Sequence, residues 1–207
     1  KRDFLGCAIV QRSILETYRN DFAKFRRRIP LERLEKVFGA VPGQVGRKWV
    51  HSRVSPDEKA HTIETALDAL CKARVAHRVF HASGNGIPLS AERKDNLYKV
   101  LFLDVGLMGI QLGLQITDLL DSRAFMRVNE GSIAEQWLGQ HLLDLRPPSQ
   151  PPELYYWVRE KTGSLAEVDY LLSHGARVIP VEVKAGSSSR AKSLHVFLTE
   201  KKKHPAR

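Results

Sequence analysis

The chain has 207 residues and a formal net charge of +10, enough length for one large domain or two small ones around a real core. No apolar run is long enough to cross a bilayer, so no membrane partner is expected. Two cysteines, Cys7 and Cys71, without Cys or His at metal spacing argue against zinc and for reduced thiols in a cytoplasmic protein.

The charge is uneven. Residues 1–53 hold thirteen Lys or Arg against five acids, residues 184–207 seven against one, and the stretch between thirteen against seventeen. Basicity therefore sits at the two ends, and nucleic acid is the obvious partner for such patches. Its candidate contacts are Arg26, Arg27 and Arg28 with Lys201, Lys202 and Lys203. The same runs also read as solvated helix faces or as a docking surface for another domain.

In chain order, Phe4, Ile9, Ile14, Tyr18, Phe22, Phe25, Ile29, Leu34 and Phe38 recur at helical intervals, which predicts helices broken at Pro30 and ended at Gly39. The glycine-containing stretch 39–48 lacks both the spacing of a phosphate-binding loop and a preceding apolar strand, so it reads as loop and turn. Ser55-Pro-Asp-Glu58 has the form of a capping box with Pro at the first helical position, opening a helix over 56–74. Strands over 75–81 and 98–104 follow, joined across a turn at Ser83–Gly86. A helix and a two-stranded wing are the outline of a winged helix. Its helix carries Asp57, Glu58, Glu64 and Asp68 against three basic residues, which suits a structural or subunit-contact role better than entry into a major groove. His77 and His81 read as half-buried strand histidines, and Asp104 as a turn acid.

A helix over Gly131–Leu143 carries Ile133, Trp137, Leu138 and Leu142 at helical spacing as its inward stripe, with Glu135 on or beside it. An unpartnered carboxylate is costly there, although Ser132 and Glu135 also have capping-box spacing. After a proline-rich connection over 146–153 come three short strands, starting at Tyr155, Ala166 and Val178. Side chains alternate along a strand, so Glu182 and Lys184 share one face while Ile179, Val181 and Val183 take the other. With Asp169 from the neighbouring strand, two acids and a lysine can converge on one divalent cation and one scissile phosphate. An acid-x-Lys pair on a strand is also an ordinary solvent-facing ion pair.

Asp169 followed by Glu182-Val-Lys184 resembles the PD-(D/E)XK nuclease superfamily. More of the chain, from Leu101-Phe-Leu-Asp-Val-Gly-Leu107 through Gly131-Ser-Ile-Ala-Glu135, Tyr156-Trp157 and Glu167-Val-Asp169 to Ile179-Pro-Val-Glu-Val-Lys184, resembles the domain of unknown function that follows the ATPase core in prokaryotic AAA+ proteins. The resemblance implies an α+β fold: a helical connector over 1–54, a winged-helix-like segment over 55–128, and a restriction-endonuclease-like mixed sheet flanked by helices over 129–207, truncated at its C-terminal end. It places the ATPase domain, and hence ATP, upstream of this chain. Asp169 and Glu182, with the Val183 carbonyl, are then expected to hold Mg²⁺ or Mn²⁺, Lys184 to orient the attacking water, and Glu135 to complete the site. The function implied is metal-dependent phosphodiester hydrolysis. The alternative is a non-catalytic DNA- or protein-binding regulatory module coupled to the ATPase.

Overall fold

The computed structural model describes residues 3–25, 27–114, 130–145, 149, 151–159, 166–184 and 192–202. Helix α1, Phe4–Phe22, starts where Asp3 Oδ1 accepts the Gly6 N–H at 2.8 Å and buries Leu15 and Phe22. Helix α2, Leu31–Gln44, does not end at Gly39. It runs on through Pro42, because the buried Val41 and Pro42 belong to its inward face. A proline inside a helix strips the i−4 carbonyl of its donor, and here that carbonyl, Phe38 O, instead accepts from Gln111 Nε2 at 2.8 Å. The loop therefore begins only at Val45, whose extended backbone stops the helix.

Helix α3, Ala60–Lys72, begins later than the capping box suggests. Glu58 does not reach back to cap; it pairs with Arg33, and with Lys36 at 3.5 Å, both on α2. Strands β1, Ala76–Ala82, and β2, Arg93–Phe102, form the expected antiparallel pair. Helix α4, Val105–Gln111, is capped by Asp104, whose Oδ1 accepts from Leu107 N at 2.9 Å. Then come α5, Glu130–Asp144, the strands β3, Leu154–Val158, β4, Glu167–His174, and β5, Arg177–Val181, and finally α6, Lys192–Lys202. Among the described residues no helix is long and apolar enough to cross a membrane.

The five strands make one mixed sheet in the order β2-β1-β3-β4-β5. Only β1 and β3 run parallel, with Val79 opposite Leu154 and His81 opposite Tyr156. The pair expected as a free-standing wing is thus half of the central sheet. Burial explains this: Val79, Ala76 and Ala82 on β1 are all at most 1% exposed, and a two-stranded ribbon standing alone cannot cover residues on both of its faces. Alternation on β3 shows the two layers. Leu154 and Tyr156 join the large core beneath α1–α5, whereas Tyr155 and Trp157 join a smaller one with Phe197 of α6. Helices flank the sheet on both faces. Gly139 lets α5 press onto it, since a Cβ there would lie 2.4 Å from Leu101 Cδ1 and from Tyr170 Oη.

Candidate functional site

The site is built where α5 crosses the sheet. Strand β4 carries an irregularity against β3: Tyr155 pairs with Leu171 but Trp157 with Val168, so three steps on β4 oppose two on β3. Such a bulge re-aims side chains. Val168 and Leu171 both enter the small core, which leaves Glu167, Asp169 and Tyr170 directed the other way, towards α5. The Tyr170 hydroxyl donates to the Glu135 carbonyl at 2.7 Å, tying bulge to helix.

At the centre lies a residue outside the expected set. Lys99 of β2 is 1% exposed, its Nζ 5.1 Å from the Tyr156 ring centroid. The ammonium donates to Glu135 Oε1 at 2.8 Å and lies 2.5 Å from Glu167 Oε1 and 3.6 Å from Asp169 Oδ1. Three carboxylates thus converge on one lysine. The other oxygen of Asp169, Oδ2, accepts the Val183 N–H at 2.8 Å, which holds the Glu182-Val-Lys184 segment against β4. Beyond it Glu182 Oε1 pairs with Lys184, whose side chain is 40% exposed. Glu182 Oε2 is buried and has no hydrogen-bond partner.

Of the four residues expected to act together, the structure puts Glu135 and Asp169 on one cluster and Glu182 with Lys184 beside it, linked through the Asp169 to Val183 hydrogen bond. Glu135 does not cap. Helix α5 starts at Glu130, ahead of Ser132, so the capping-box pair lies inside the helix and the Glu135 carboxylate turns to Lys99. Ile179, expected to be inward, is 41% exposed, while Val181 and Val183 pack on the large core.

The charges inside the cluster are unequal, and the ionisation follows. Burial would depress the Lys99 ammonium, but the Glu135 and Glu167 carboxylates outweigh it and hold its pKa above the ordinary lysine value. Burial pushes the Glu135 carboxyl up to about 7; the Lys99 charge opposes this, and the Asp169 and Glu167 carboxylates reinforce it. One ammonium cannot satisfy three acids.

That arrangement does not fit Mg²⁺ or Mn²⁺. A magnesium ion takes oxygens at about 2.0–2.1 Å in a near-octahedral shell. Here Asp169 is engaged at both oxygens, and Glu135 and Glu182 at one each. Among the described residues no three His, Cys, Asp or Glu side chains are gathered to hold a metal ion.

A second ionic cluster joins α3 to the sheet. Glu64 accepts from Tyr98 Oη at 2.5 Å, and lies 2.7 Å from both His51 Nε2 and Arg78 Nη2; Arg78 also pairs with Asp68 at 2.7 Å. Glu64 and Asp68 of the supposed recognition helix therefore serve as ties to Arg78 of β1. His77 is half-buried, its pKa lowered first by burial, and His81, 1% exposed, has Nε2 3.3 Å from the Val158 carbonyl.

The basic runs differ from each other. Arg27 and Arg28 are exposed at the turn before α2, while Arg26 lies outside the described residues. Lys201 donates to Asn85 Oδ1 at 2.8 Å and sits 5.6 Å from the Phe197 ring centroid. The Lys202 side chain and Lys203 lie outside the described residues.

Neither Lys99 nor Glu167 follows from motif spacing. The available signals were a lone lysine between Tyr98 and Val100-Leu-Phe102, and an acid two positions before Asp169, hence on its face of the strand.

Comparison with known proteins gives two matches. Residues 1–118 match the family model described as Domain of unknown function (DUF8612), and residues 130–207 the one described as Domain of unknown function (DUF4143). No curated protein and no solved structure matches the chain.

Proposed function

The chain belongs to the DUF8612 family, and from that premise we propose that it is a non-catalytic coupling module of an AAA ATPase. The DUF4143 match over residues 130–207 supports the ATPase association, since that domain is known at the C-terminal end of AAA ATPases. The observation that carries the non-catalytic reading is Lys99: its buried ammonium, 2.8 Å from Glu135 and 2.5 Å from Glu167, engages these two acids from inside the protein. An exposed apolar face supports this reading too. Helix α1 exposes Leu5 at 72%, Ile9 at 57% and Val10 at 58%, an apolar face of the kind another domain covers. Nucleic-acid contact through the two basic runs, Arg26 to Arg28 and Lys201 to Lys203, would weaken steeply with salt.

The test is titration of the full-length protein with Mg²⁺ and Mn²⁺ by calorimetry, alongside a nicking assay on DNA and RNA with ATP. No saturable cation binding and no cleavage are expected. One observation favours hydrolysis instead: the unpartnered Glu182 Oε2 beside Lys184. Cation-dependent nicking abolished by Lys184→Ala would establish that second reading and end the first.

A further inference from the structure

The turn between β1 and β2 carries a labile residue. Of the four asparagines in the chain only Asn85 precedes a glycine, and Asn85 is exposed. Asparagine is chemically labile, and most so before glycine, because without a Cβ to crowd it the following backbone nitrogen can reach the asparagine side-chain carbon. The fold holds this side chain nonetheless. Asn85 Nδ2 donates to Glu92 Oε1 at 2.8 Å, the Asn85 N–H donates to Glu92 Oε2 at 3.0 Å, and Lys201 Nζ donates to Asn85 Oδ1 at 2.8 Å. Each of the three has a charged partner, which makes it one of the stronger kind. One carboxylate takes both the residue's own N–H and its side-chain nitrogen, so the side chain is drawn to the N-terminal side of Asn85. The Gly86 nitrogen lies on the C-terminal side. Attack by it requires the side chain to leave Glu92 and Lys201.

Helix α6 touches this turn twice. Phe197 and Lys201 are four residues apart on it and so share a face. Gly84, in the left-handed region at φ +70°, lies so close to that face that a Cβ would stand 3.1 Å from Phe197 Cε2, while Lys201 reaches the next residue. Phe197 is 2% exposed and packs edge-on against Trp157, ring centroids 5.2 Å apart. Docking of α6 therefore seats Phe197 in the small core and closes the clamp on Asn85 together, and undocking of the helix undoes both.

We propose that Asn85 is a deamidation site guarded by α6: while the helix is docked the side-chain amide is held away from Gly86, and when Lys201 leaves the turn Asn85 is converted to an acid. In that step a bond forms from Gly86 N to Asn85 Cγ and the bond from Cγ to Nδ2 breaks. Nδ2 leaves as ammonia with the proton of the Gly86 N–H, and a succinimide remains. Water then adds to one of the two ring carbonyls. Opening at Cγ gives aspartate; opening at the Asn85 backbone carbon gives isoaspartate, whose chain runs through the former side chain. Water is the sole co-reactant. Aspartate sets a carboxylate against Glu92 where an amide donor stood, and isoaspartate lengthens the backbone of the turn, so neither product rebuilds the clamp. The site is independent of the coupling role proposed above.

The experiment incubates the full-length protein in mildly alkaline buffer and follows the tryptic peptide of residues 79–93 by mass spectrometry, with enzymatic methyl labelling of isoaspartate as a second readout. Folded wild type should deamidate at Asn85 about tenfold or more slowly than the same protein in urea, the factor that one hydrogen bond to a charged group accounts for. Lys201→Met and Glu92→Ala each remove one charged partner and should speed the reaction several-fold in the folded protein. Thermal melts of both variants should stay close to wild type, since neither side chain belongs to the two cores. Gly86→Ala added to Lys201→Met should slow deamidation again, because its Cβ crowds the attacking nitrogen. Equal rates for folded and unfolded wild type overturn the proposal, as do unchanged rates in both variants. Slower deamidation in Lys201→Met overturns it too, since the ammonium would then be assisting the reaction and not preventing it.

Discussion

Two ionic clusters anchor helices to the same sheet and treat their acids in opposite ways. In the first, two acids, Glu64 and Asp68, face Arg78, His51 and the Tyr98 hydroxyl. Burial pushes the Glu64 carboxyl up, but hydrogen bonds from His51 and Tyr98 and the charge of Arg78 outweigh it, so its pKa lies below the ordinary value. In the second, three acids share Lys99, and Glu135 is pushed up. Solvent and stoichiometry make the difference. The Glu64 and Asp68 side chains are 34% and 49% exposed, whereas those of Lys99 and Glu135 are 1% and 7%. A half-open cluster with enough donors is plain glue; a closed one with too few carries a standing electrostatic cost.

Removing the cation from each cluster should separate them most widely. Lys99→Met leaves three carboxylates around an apolar chain and should cost about 3–5 kcal/mol near neutral pH, as breaking a buried pair does. The loss should shrink towards pH ~5, where protonation relieves the repulsion. Arg78→Met should cost less, about 1–3 kcal/mol, because water reaches its partners, and acidification should rescue it less. Urea unfolding of both variants at the two pH values checks this. A larger loss for Arg78→Met would reverse the comparison.

The contrast also marks how far the sequence could be read. The three C-terminal strands, their antiparallel order and the β1–β2 pair were legible, because β-branched runs between turn residues report local geometry. The hairpin order of β4 and β5 also brought Asp169 near Glu182 and Lys184, although β5 ends at Val181 and both residues lie just past it. What failed depended on contacts between elements distant in the chain. The β1–β3 pairing joins residues seventy-five positions apart in sequence, as Val79 with Leu154, and no local pattern announces it. The bulge that turns both Asp169 and Tyr170 towards α5 exists only against β3. A lone lysine in a strand normally lies at the surface, so nothing in the sequence marks Lys99 as buried. Gly39 reads as a helix end, yet α2 runs on through Pro42, because the donor that satisfies Phe38 O, Gln111, is seventy-three residues away in sequence.

The clusters should also respond to pH with opposite sign. Glu135 titrates near 7 in the fold against an ordinary 4.5, so its contribution is fully present below about pH 4.5 and is lost as pH rises to about 7, of order 2–3 kcal/mol. Glu135→Gln should flatten that decline. The Glu64 carboxyl is lowered in the fold, so its contribution is present above the ordinary carboxylate range and lost as pH falls through the lowered value. Glu64→Gln should remove that acid-side loss, which solvent screening holds to under about 1 kcal/mol. Urea midpoints from about pH 4 to 8 for wild type and both variants read the two slopes. Slopes of the same sign would mean that burial and charge count do not distinguish the clusters.

The smallest effect concerns α1, which has one face committed to the core and one open. Leu15 and Phe22 are 3% exposed, whereas Ile9 and Val10 are 57% and 58% exposed. Replacing the open pair, Ile9→Lys with Val10→Lys, removes apolar surface that already lies in water, so the transfer term that makes core truncations costly is absent. Stability should change by no more than about 0.5 kcal/mol. If the face serves a partner, the same double variant should lose association with the ATPase segment in co-elution while its melting curve stays put. A loss of stability beyond about 1 kcal/mol would show that α1 is covered within the chain, and the docking role would pass to another surface. Intact association with an unchanged melt would remove α1 from the proposed docking role.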